Sequence, residues 1–289
     1  MRARCFLEVV ERGTVAAAAQ ALGYTGPAVS QQIGKLERSL GVPLFDRMSG
    51  RLRPTPAATA LVPHVYAVLD ALEAGRRSAR VAASAPGRTV AVAAFPSAVV
   101  NLVAPLTGGA CPPLHRVLEA EDDVALRELA LGHVDVAVVQ EHSHQRYRRD
   151  PRLCYDPLLR DPLDLVVPPG VPAPASLADT RGLAWVVSGR GSPCRASCEE
   201  AWRLAGITPV VAAEAYELTT LVALVAAGAG VALLPRLGLP ADLRGVRVAP
   251  GVGGVVRTLY AVTRRTSSDG AVGEVLAALR SRATTLAGR

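Results

Sequence analysis

Side chains that could contact the edges of base pairs cluster near the start of the chain. A segment beginning at Thr25 carries apolar residues at helical spacing on one side, and its other side is polar. That polar side consists of Thr25, Ser30, Gln31, Gly34 and Lys35. Short hydroxyls and a glutamine near a helix start suit base edges in a major groove, and a lysine further along suits a phosphate. The pattern therefore predicts a helix that contacts a double-stranded nucleic acid.

Three arginines follow in a second basic segment. Residues 43–53 are typical of a small hairpin with its turn at Ser49-Gly50, and they include Arg47, Arg51 and Arg53. Such a hairpin can lie along the phosphate backbone or in the minor groove. A single arginine is more often an ordinary solvated charge. The cluster beside a polar helix favours a basic wing that contacts DNA.

Two short helices are predicted to hold the polar helix in place. Apolar residues at 6–10 define the first helix, and Thr14 can cap the second. Thr25 can cap the third, with Pro27 in its first turn, where the missing N–H of proline is tolerated. Short helices joined by a tight turn form a helix-turn-helix. We therefore predict an all-α N-terminal part that, with its wing, covers residues 1–55.

The charge distribution agrees with a polyanion partner for this part of the chain. The net charge is +7, and residues 1–88 hold 12 Lys/Arg against 6 Asp/Glu, whereas residues 89–289 hold 20 against 19. A basic first third indicates nucleic-acid contact, although a basic surface without a partner explains the charge alone equally well. Aromatic residues make up only 4% of the chain, which argues against stacking platforms for single strands.

A long helix is predicted over residues 56–84. Thr55-Pro56 is typical of a helix start, and Pro63 is expected to kink or loosen one turn. The apolar residues Ala58, Leu61, Val65, Val68 and Leu72 are spaced as a heptad seam, which Val62 and Leu69 widen. An exposed helix with this stripe needs a partner. That partner is either the C-terminal part of the same chain or the same helix of a second chain.

From residue 89 onward, strand patterns alternate with helical ones. Strands are predicted at 90–94, 116–120, 134–139, 163–167, 184–187, 210–213, 230–234 and 256–263, and helices at 97–106, 123–131, 196–205, 219–227 and 272–283. This alternation predicts an α/β fold with mostly parallel sheets and helices on both faces.

The N-terminal residues match one family in order and spacing. The matching positions are Phe6, Val9, Gly13-Thr14, Ala18-Ala19, Leu22, residues 27–33, Leu36-Glu37, Leu40-Gly41, Leu44-Phe45, Arg47 and Thr55-Pro56-Ala57. This part resembles the winged helix-turn-helix of LysR-type transcriptional regulators. Thr25-Gly26 stands where the family has Ser-Gln, so Gly26 removes a side chain that often contacts a base, and Ala57-Ala58 replaces Ala-Gly. Together with the residue patterns, the resemblance implies DNA contacts by Thr25, Gly26, Pro27, Ala28, Ser30, Gln31, Lys35, Arg47, Arg51 and Arg53.

The C-terminal part resembles the effector-binding domain of the same family. The matching residues are Glu119, Leu129, Gly132, residues 134–137, Asp161-Pro162 and a run from Leu221 to Pro235 that contains Gly228 and Gly230. The resemblance implies a two-lobed domain over residues 89–289, similar to type II periplasmic binding proteins. Lobe 1 would cover about 89–165 and 248–289, and lobe 2 about 166–247.

The resemblance also implies how such a chain acts. The long helix would pair with its copy, giving a homodimer or homotetramer whose recognition helices bind an imperfect inverted repeat in double-stranded DNA. A small molecule between the lobes would favour one arrangement of them and so change the DNA contacts or a contact with RNA polymerase. The effector, the operator and the sign of regulation are not predicted.

Effector contacts can be predicted from the α/β architecture. Ligands bind beyond the carboxyl ends of strands and near helix starts, which selects Phe95, Pro96, Ser97, Ala98, Glu121, Asp122, Ser188, Arg190, Thr219 and Thr220. Hydroxyls at helix starts together with Arg190 would suit a small carboxylate. Simple helix capping by Ser97 and Thr219, with Arg190 as a surface charge, explains the same residues equally well.

No cofactor, metal ion or catalytic residue is predicted. Gly228-x-Gly230 lacks the third glycine of a dinucleotide fingerprint, and the sequence has no phosphate-loop, nucleophile-elbow or zinc-protease motif. His142-x-His144 follows a strand among polar residues and is expected in a solvated loop.

Two alternatives compete with an effector-modulated regulator. Cys194 and Cys198 are expected on one helix as inert thiols, but some members of the family sense oxidants, so a thiol redox-responsive regulator is one alternative. The other is a ligand-binding protein or enzyme with a vestigial DNA-binding domain, which residues 89–289 alone would permit.

The chain is expected to be cytoplasmic and to have no membrane partner. Its longest apolar run, residues 221–234, is interrupted by glycines and is shorter than the roughly 18 residues that span a bilayer. Glu8 and Glu11 stand where a signal peptide would be apolar. Five irregularly spaced cysteines favour reduced thiols over a disulfide framework.

Overall fold

The structure, a computed structural model, describes residues 1–48, 51–82, 89–108, 114–144, 149–240, 243–265 and 270–287. The chain forms two compact units. Unit 1 comprises Met1–Pro86 and Ala130–His133, and unit 2 comprises Gly87–Leu129 and Val134–Arg289. Among the described residues, no helix combines the length and the apolar character that crossing a membrane requires.

Unit 1 contains short helices, a hairpin and one long helix. Its elements are α1 (Arg2–Arg12), α2 (Val15–Leu22), α3 (Gly26–Leu40), β1 (Phe45–Met48), β2 (Arg51–Pro54) and α4 (Pro56–Ala82). Phe6 and Leu7 of α1 are fully buried and pack in one apolar core with Val29 of α3 and Val65 of α4. Burial of such a side chain contributes about 1.5–3 kcal/mol, so this core holds α3 against the other helices.

Local capping determines where these helices begin. The hydroxyl oxygens of Thr14, Thr25 and Thr55 accept hydrogen bonds from the backbone N–H three residues later, at 3.2, 3.4 and 3.2 Å. Gly13 and Gly41 end α1 and α3 at φ values of 71° and 73°, in the left-handed region that favours glycine. The helix starts predicted at the three threonines are confirmed.

The predicted seam of α4 divides into two parts. Ala58 and Val65 are buried in the core of unit 1, and the Tyr66 hydroxyl donates to Glu11 Oε1 at 2.8 Å. Val68 and Leu72 are 60% and 52% exposed. We expected the whole seam to pack against the C-terminal part of the chain or a second chain. This expectation is wrong for the first turns of α4, because those turns pack on α1 and complete the core of unit 1. The helix is continuous, with Pro63 inside it, and is about 40 Å long.

Unit 2 alternates strands and helices. Its elements are β3 (Val90–Ala94), α5 (Pro96–Ala98), β4 (Leu114–Glu119), α6 (Asp122–Ala130), β5 (Val136–His142), β6 (Leu153–Val167), β7 (Ala184–Ser188), α7 (Pro193–Ala205), β8 (Val210–Ala215), α8 (Leu218–Ala226), β9 (Ala232–Pro235), β10 (Arg247–Ala249), β11 (Val256–Arg264) and α9 (Gly270–Ala287). In place of the single helix expected over 97–106, α5 continues as a π-helical turn (Val99–Val103) and a 3₁₀ turn (Ala104–Leu106).

The main sheet of unit 2 is mixed. Its strand order is β10-β6-β11-β5-β3-β4, and β9 also pairs with β6. β3 lies parallel to β4 and β5, and β7 lies parallel to β8 in a second sheet. However, β6 and β11 run antiparallel to each of their neighbours. The expectation of mostly parallel sheets is therefore wrong, because the alternation of elements along the chain does not specify the direction of these two strands.

Strand β6 joins two halves of unit 2. Residues 153–162 pair with β11, and residues 163–167 pair with β9 and β10. Only 163–167 were predicted as strand, because Asp156-Pro157 and Arg160-Asp161 interrupt the apolar pattern of the first part. One half has a core that includes Leu102 and Leu259, and the other has a core that includes Trp185 and Trp202.

Candidate functional site

The outer side of α3 is a polar surface in unit 1. Pro27, Ser30 and Gln31 are exposed, and Lys35 is half-buried. Val29 and Ile33, on the opposite side, are 0% and 6% exposed and pack into the core. The apolar side therefore fixes the direction in which the polar side faces. Of the other predicted contacts in this segment, Thr25 is exposed at the helix start, and Gly26 and Ala28 are half-buried in the first turn.

One exposed arginine on this surface was not among the predicted residues. Arg38 is exposed and follows Gln31 and Gly34 at helical spacing, so it extends the same side of α3 by one turn. Its Nε donates to the Gly34 carbonyl at 3.1 Å. The spacing of seven from Gln31 is visible in the sequence and could have identified it.

The wing is attached to α3 through Glu37. Its Oε1 accepts hydrogen bonds from the backbone N–H groups of Leu44 and Phe45 at 2.7 and 3.3 Å, directly before and at the start of β1. Because a charged acceptor strengthens these bonds, Glu37 positions the hairpin relative to α3.

Within the wing, β1 and β2 pair antiparallel, with Arg53 opposite Asp46 and Arg47 opposite Leu52. Arg53 is exposed, as a phosphate contact requires. The predicted turn at Ser49-Gly50 and the side chains of Arg47 and Arg51 lie outside the described residues.

A buried ion pair occupies the centre of unit 2, beyond the carboxyl end of β3. Arg257 and Asp161 have side chains that are 5% and 2% exposed, and both Nε and Nη2 of Arg257 lie 2.7 Å from Asp161 Oδ2. Arg257 Nη1 donates to Gln140 Oε1 at 2.6 Å, and Nη2 donates to Ser97 Oγ at 3.1 Å. The guanidinium also lies 5.1 Å from the centre of the Phe95 ring. This cluster brings strands β5, β6 and β11 to the predicted effector residues Phe95 and Ser97.

The Arg257 cluster also contacts the turn that follows β9, whose Leu237 packs in the core with Leu102 and Leu259. Asp161 Oδ1 accepts from the backbone N–H of Leu237 at 2.9 Å, and Asn101 Nδ2 donates to the Leu237 carbonyl at 2.7 Å. Arg257, Asp161 and Gln140 were not predicted as site residues. In the sequence, Arg257 interrupts the apolar strand run 255–259. A buried arginine needs an internal partner, so this interruption could have identified the cluster.

The remaining predicted effector residues of the first half have different environments. Pro96 is half-buried and Ala98 is fully buried. Asp122 is 4% exposed and accepts the backbone N–H of Gln140 at 3.2 Å, so its carboxylate already has an internal partner. Glu121 is exposed as a residue, but its carboxyl is partly buried, and this burial raises its pKa. The negative charge of Asp123 raises the pKa further, and the positive charge of Arg257 lowers it in part.

In the second half, Ser188 is 5% exposed at the end of β7, whereas Arg190, Thr219 and Thr220 are exposed. The Arg190 backbone N–H donates to Glu214 Oε1 at 2.9 Å. The explanation of Ser97 and Thr219 as helix caps is wrong, whereas Arg190 is an exposed charge. α8 begins at Leu218 with Glu217 as its N-cap, and Phe95, not Ser97, precedes α5.

Two thiols lie one helical turn apart on α7, as expected from their spacing. Cys198 is buried, with its Sγ 3.5 Å from the Leu233 carbonyl, and Cys194 is half-buried in the first turn. Hydrogen bonding from Cys198 and from the Ser188 hydroxyl lowers the pKa of Cys194, with a further contribution from the charge of Arg257. The same interaction, together with burial, raises the pKa of Cys198. The pair therefore favours a thiolate at Cys194.

The expectation of a solvated loop at His142-x-His144 is wrong for His142. His142 is the last residue of β5 and is 3% exposed, with Nδ1 2.5 Å from Ser197 Oγ on α7. Burial and the nearby positive charge of Arg257 lower its pKa to about 3. The residue is covered because a helix 55 positions away packs on the strand end, which local polarity did not reveal.

Both units have counterparts among known protein families. Residues 2–59 match the family described as bacterial regulatory helix-turn-helix protein, lysR family, and residues 83–284 match the LysR substrate binding domain. The chain belongs to the LysR family. It is thus a LysR-type transcriptional regulator with an effector-binding domain.

Relatives and solved structures extend this result. The Streptomyces coelicolor small neutral protease regulatory protein is 30% identical across 100% of this chain and 93% of that protein. A probable hydrogen peroxide-inducible genes activator of Mycobacterium avium is 28% identical, covering 83% of this chain and 78% of that protein. The fold is similar to that of an H2O2-bound mutant of Corynebacterium glutamicum OxyR, with a TM-score of 0.58 and 23% identity over 99% of this chain and 93% of the other.

Proposed function

We propose that this LysR-family regulator binds an imperfect inverted repeat in double-stranded DNA through the polar side of α3 and the wing. The observation that carries the proposal is the fixed direction of α3. Its apolar side is locked into the core by Val29 and Ile33, so Ser30 and Gln31 face outward. These short polar side chains suit base edges. Arg38 and Arg53, both exposed, suit flanking phosphates.

The exposed part of α4 supports pairing of two chains. Val68 and Leu72 are more than half exposed on a helix about 40 Å long. Two such helices would bury these side chains against each other in a coiled-coil contact. The regulator would then be a homodimer, or a homotetramer built from two such dimers, whose two-fold symmetry matches the inverted repeat.

The domain organisation follows from the same proposal. Residues 1–55 form the DNA-binding domain, residues 56–84 the dimerisation helix, and residues 89–289 the effector-binding domain. The protein acts on DNA in the cytoplasm. It acts there as a regulator and not as an enzyme, in keeping with its relatives.

The effector is a small molecule bound near the Arg257 cluster, where the two halves of unit 2 meet. Phe95 and Ser97 from one half lie against the Arg257 guanidinium. The charge of Arg257 also acts on Cys194 of the other half, which is hydrogen-bonded to Ser188. A ligand that prefers one arrangement of the halves would shift the population of DNA-binding conformations. The charge of Arg257 is already balanced by Asp161, so the exposed Arg190 after β7 supplies the positive charge that suits a small carboxylate.

Selection from a random duplex library tests the DNA-binding proposal. Purified protein should enrich an imperfect inverted repeat, and fluorescence anisotropy on the selected duplex should give an affinity that falls with salt. Ser30→Ala combined with Gln31→Ala should change the preferred bases while the salt slope stays the same, because phosphate contacts are retained. Absence of any enriched sequence, or of salt-sensitive binding, would contradict the proposal.

The thiol pair supports a second candidate function, a response to oxidants. Cys194 is partly accessible and its pKa is lowered by Cys198 and Ser188, which is the environment of a reactive thiol. Hydrogen peroxide would oxidise the Cys194 thiolate to a sulfenic acid, releasing hydroxide, which takes up a proton from solvent to give water. The affinity for the selected duplex should then change on peroxide treatment in the wild type and in Cys154→Ser, an exposed cysteine used as control, and not in Cys194→Ser. An unchanged peroxide response in Cys194→Ser would exclude this candidate.

A further inference from the structure

His142 lies on the same face of the main sheet as Arg257. It is the last residue of β5, and the strand register places it opposite Arg257 of β11, so the two side chains point to the same face. Gln140, two residues earlier on β5, is on that face as well and hydrogen-bonds to Arg257. His142 therefore belongs to the face near which the effector is proposed to bind, although it was not among the ten predicted effector residues.

One ring nitrogen of His142 contacts the other half of unit 2. Nδ1 lies 2.5 Å from Ser197 Oγ on α7. β5 and α7 belong to different halves, since they contribute to different apolar cores. Ser197 is one helical turn from Cys194, whose thiol is hydrogen-bonded to Ser188. The His142 ring is thus placed where the two halves meet, against the helix that also contacts a predicted effector residue.

The second ring nitrogen of His142, Nε2, is buried and has no hydrogen-bond partner in the described part of the chain. The ring of His144, whose centre lies 5.8 Å from that of His142, does not supply one, because both of its own nitrogens are buried without such a partner. Buried polar atoms are normally paired. Nε2 therefore indicates the place of a polar group of a ligand.

The surroundings of Nε2 suit an uncharged group and not a second anion. Asp161 balances the charge of Arg257. Burial and the charge of Arg257 lower the pKa of His142 to about 3, so its ring is neutral at neutral pH. The other polar side chains bonded to these two residues are uncharged: Ser97, Gln140 and Ser197. A carboxylate buried here would find no cation of this cluster left to pair with, and an unpaired buried charge is costly.

We propose that His142 is the inner contact of the effector site, and that the effector is a monocarboxylate with a hydroxyl or oxo group that bonds to His142 Nε2. The proposal rests on the proposed function, in which the exposed Arg190 suits the carboxylate. Either tautomer of the neutral ring has a partner in such a ligand. Nε2 donates to an oxo or hydroxyl oxygen when the Ser197 hydroxyl donates to Nδ1, and it accepts from a hydroxyl when Nδ1 donates to Ser197.

Calorimetric titration of the full-length protein with short aliphatic acids tests the proposal. Each chain length is represented by the parent monocarboxylate, the hydroxy acid, the oxo acid and the dicarboxylate. At least one hydroxy or oxo acid should bind about tenfold more tightly than its parent acid, since it gains a hydrogen bond to a buried group. The dicarboxylate of that length should bind more weakly than the hydroxy or oxo acid.

Two substitutions of His142 separate the roles of its two nitrogens. The amide of His142→Asn lies near the position of Nδ1, so this variant can keep the bond to Ser197 but lacks Nε2. The amide of His142→Gln lies near the position of Nε2. The preference for the hydroxy or oxo acid should disappear in His142→Asn and be restored in His142→Gln, with folding of both checked by tryptophan fluorescence. A measurement on the wild type needs neither variant: with ¹⁵N-labelled histidine, the preferred acid should shift one Nε2 resonance that the parent acid leaves in place.

Arg190→Gln tests the underlying carboxylate effector, and Arg116→Gln, which replaces an exposed arginine on β4, is its matched control. Arg190→Gln should weaken the binding of every acid that binds, and Arg116→Gln should not. If no acid binds, or if Arg190→Gln binds as the wild type does, the carboxylate effector is wrong and this proposal fails with it. If Arg190→Gln weakens binding but no hydroxy or oxo acid exceeds its parent, or the preference survives in His142→Asn, only the role of His142 is wrong.

Discussion

Removal of the charge of Asp161 should destabilise unit 2 strongly. In Asp161→Asn the shape of the side chain is kept, but the Arg257 guanidinium loses its only carboxylate contact in the described part of the chain while remaining 5% exposed. Leaving one member of a buried ion pair uncompensated costs about 3–5 kcal/mol. The hydrogen bond from the Leu237 N–H, at 2.9 Å, can persist to the amide oxygen, so the loss is mainly electrostatic.

Asp156→Asn is the matched control for this prediction. Asp156 also lies on β6 and also pairs with an arginine, Arg280, but the two side chains are 32% and 54% exposed. Exposed pairs contribute about 0–1 kcal/mol. The two variants therefore differ in burial and not in chemistry.

Urea unfolding followed by tryptophan fluorescence measures the effect. Both tryptophans of the chain, Trp185 and Trp202, are buried in unit 2, so the signal reports on this unit. With a slope of about 2 kcal/mol per M urea, Asp161→Asn should lower the midpoint by roughly 1.5–2.5 M, and Asp156→Asn by at most about 0.5 M. The double variant Asp161→Asn/Arg257→Met should recover part of the loss, because no charge is left unpaired. Equal midpoints for Asp161→Asn and Asp156→Asn would refute the reasoning, as would a double variant no more stable than Asp161→Asn.

Three further outcomes follow from the described residues. Arg53→Gln should weaken binding to the selected duplex and reduce the slope of log affinity against log salt by about 0.9, whereas Arg116→Gln should leave both unchanged; an unaltered slope in Arg53→Gln would mean that Arg53 contacts no phosphate. Val68→Asp should shift sedimentation velocity towards smaller species, while Ala67→Asp, on another side of α4, should not; identical behaviour of the two would exclude this helix contact. His142 has a pKa of about 3 when folded and about 6.5 when unfolded, so the unfolded chain binds a proton first as pH falls. The free energy of unfolding should therefore drop by about 1.6 kcal/mol more between pH 6.5 and pH 5 in the wild type than in His142→Asn, and a wild-type drop no larger than that of the variant would contradict the buried, neutral state of His142.

Much of unit 1 was predictable because its determinants are local. Thr14, Thr25 and Thr55 bond to N–H groups three residues away, and Gly13 and Gly41 end helices by their own backbone conformation. Such signals act within one turn and are visible in any short window of sequence. The polar side of α3 follows from the same helical period.

The division of the α4 seam was not predictable in this way. A heptad pattern of apolar residues predicts that a helix has an apolar side, but it does not predict which surface packs against that side. Tyr66 meets Glu11 from a position 55 residues away, and this contact draws the first turns of α4 onto α1. Only the folded unit decides which apolar residues remain for a second chain.

The sequence by itself determined the helices of unit 1, most of the strands and helices of unit 2, the polar side of α3 and the family, because helix caps, apolar periods and motif spacing are properties of neighbouring residues. The tertiary structure decided the antiparallel course of β6 and β11, the burial of His142 and the cluster around Arg257. The partners in that cluster lie 96 to 160 positions from Arg257 along the chain. No local pattern encodes such pairs, since a buried charge is tolerated only where the whole fold brings its counter-charge and hydrogen-bond acceptors into contact with it.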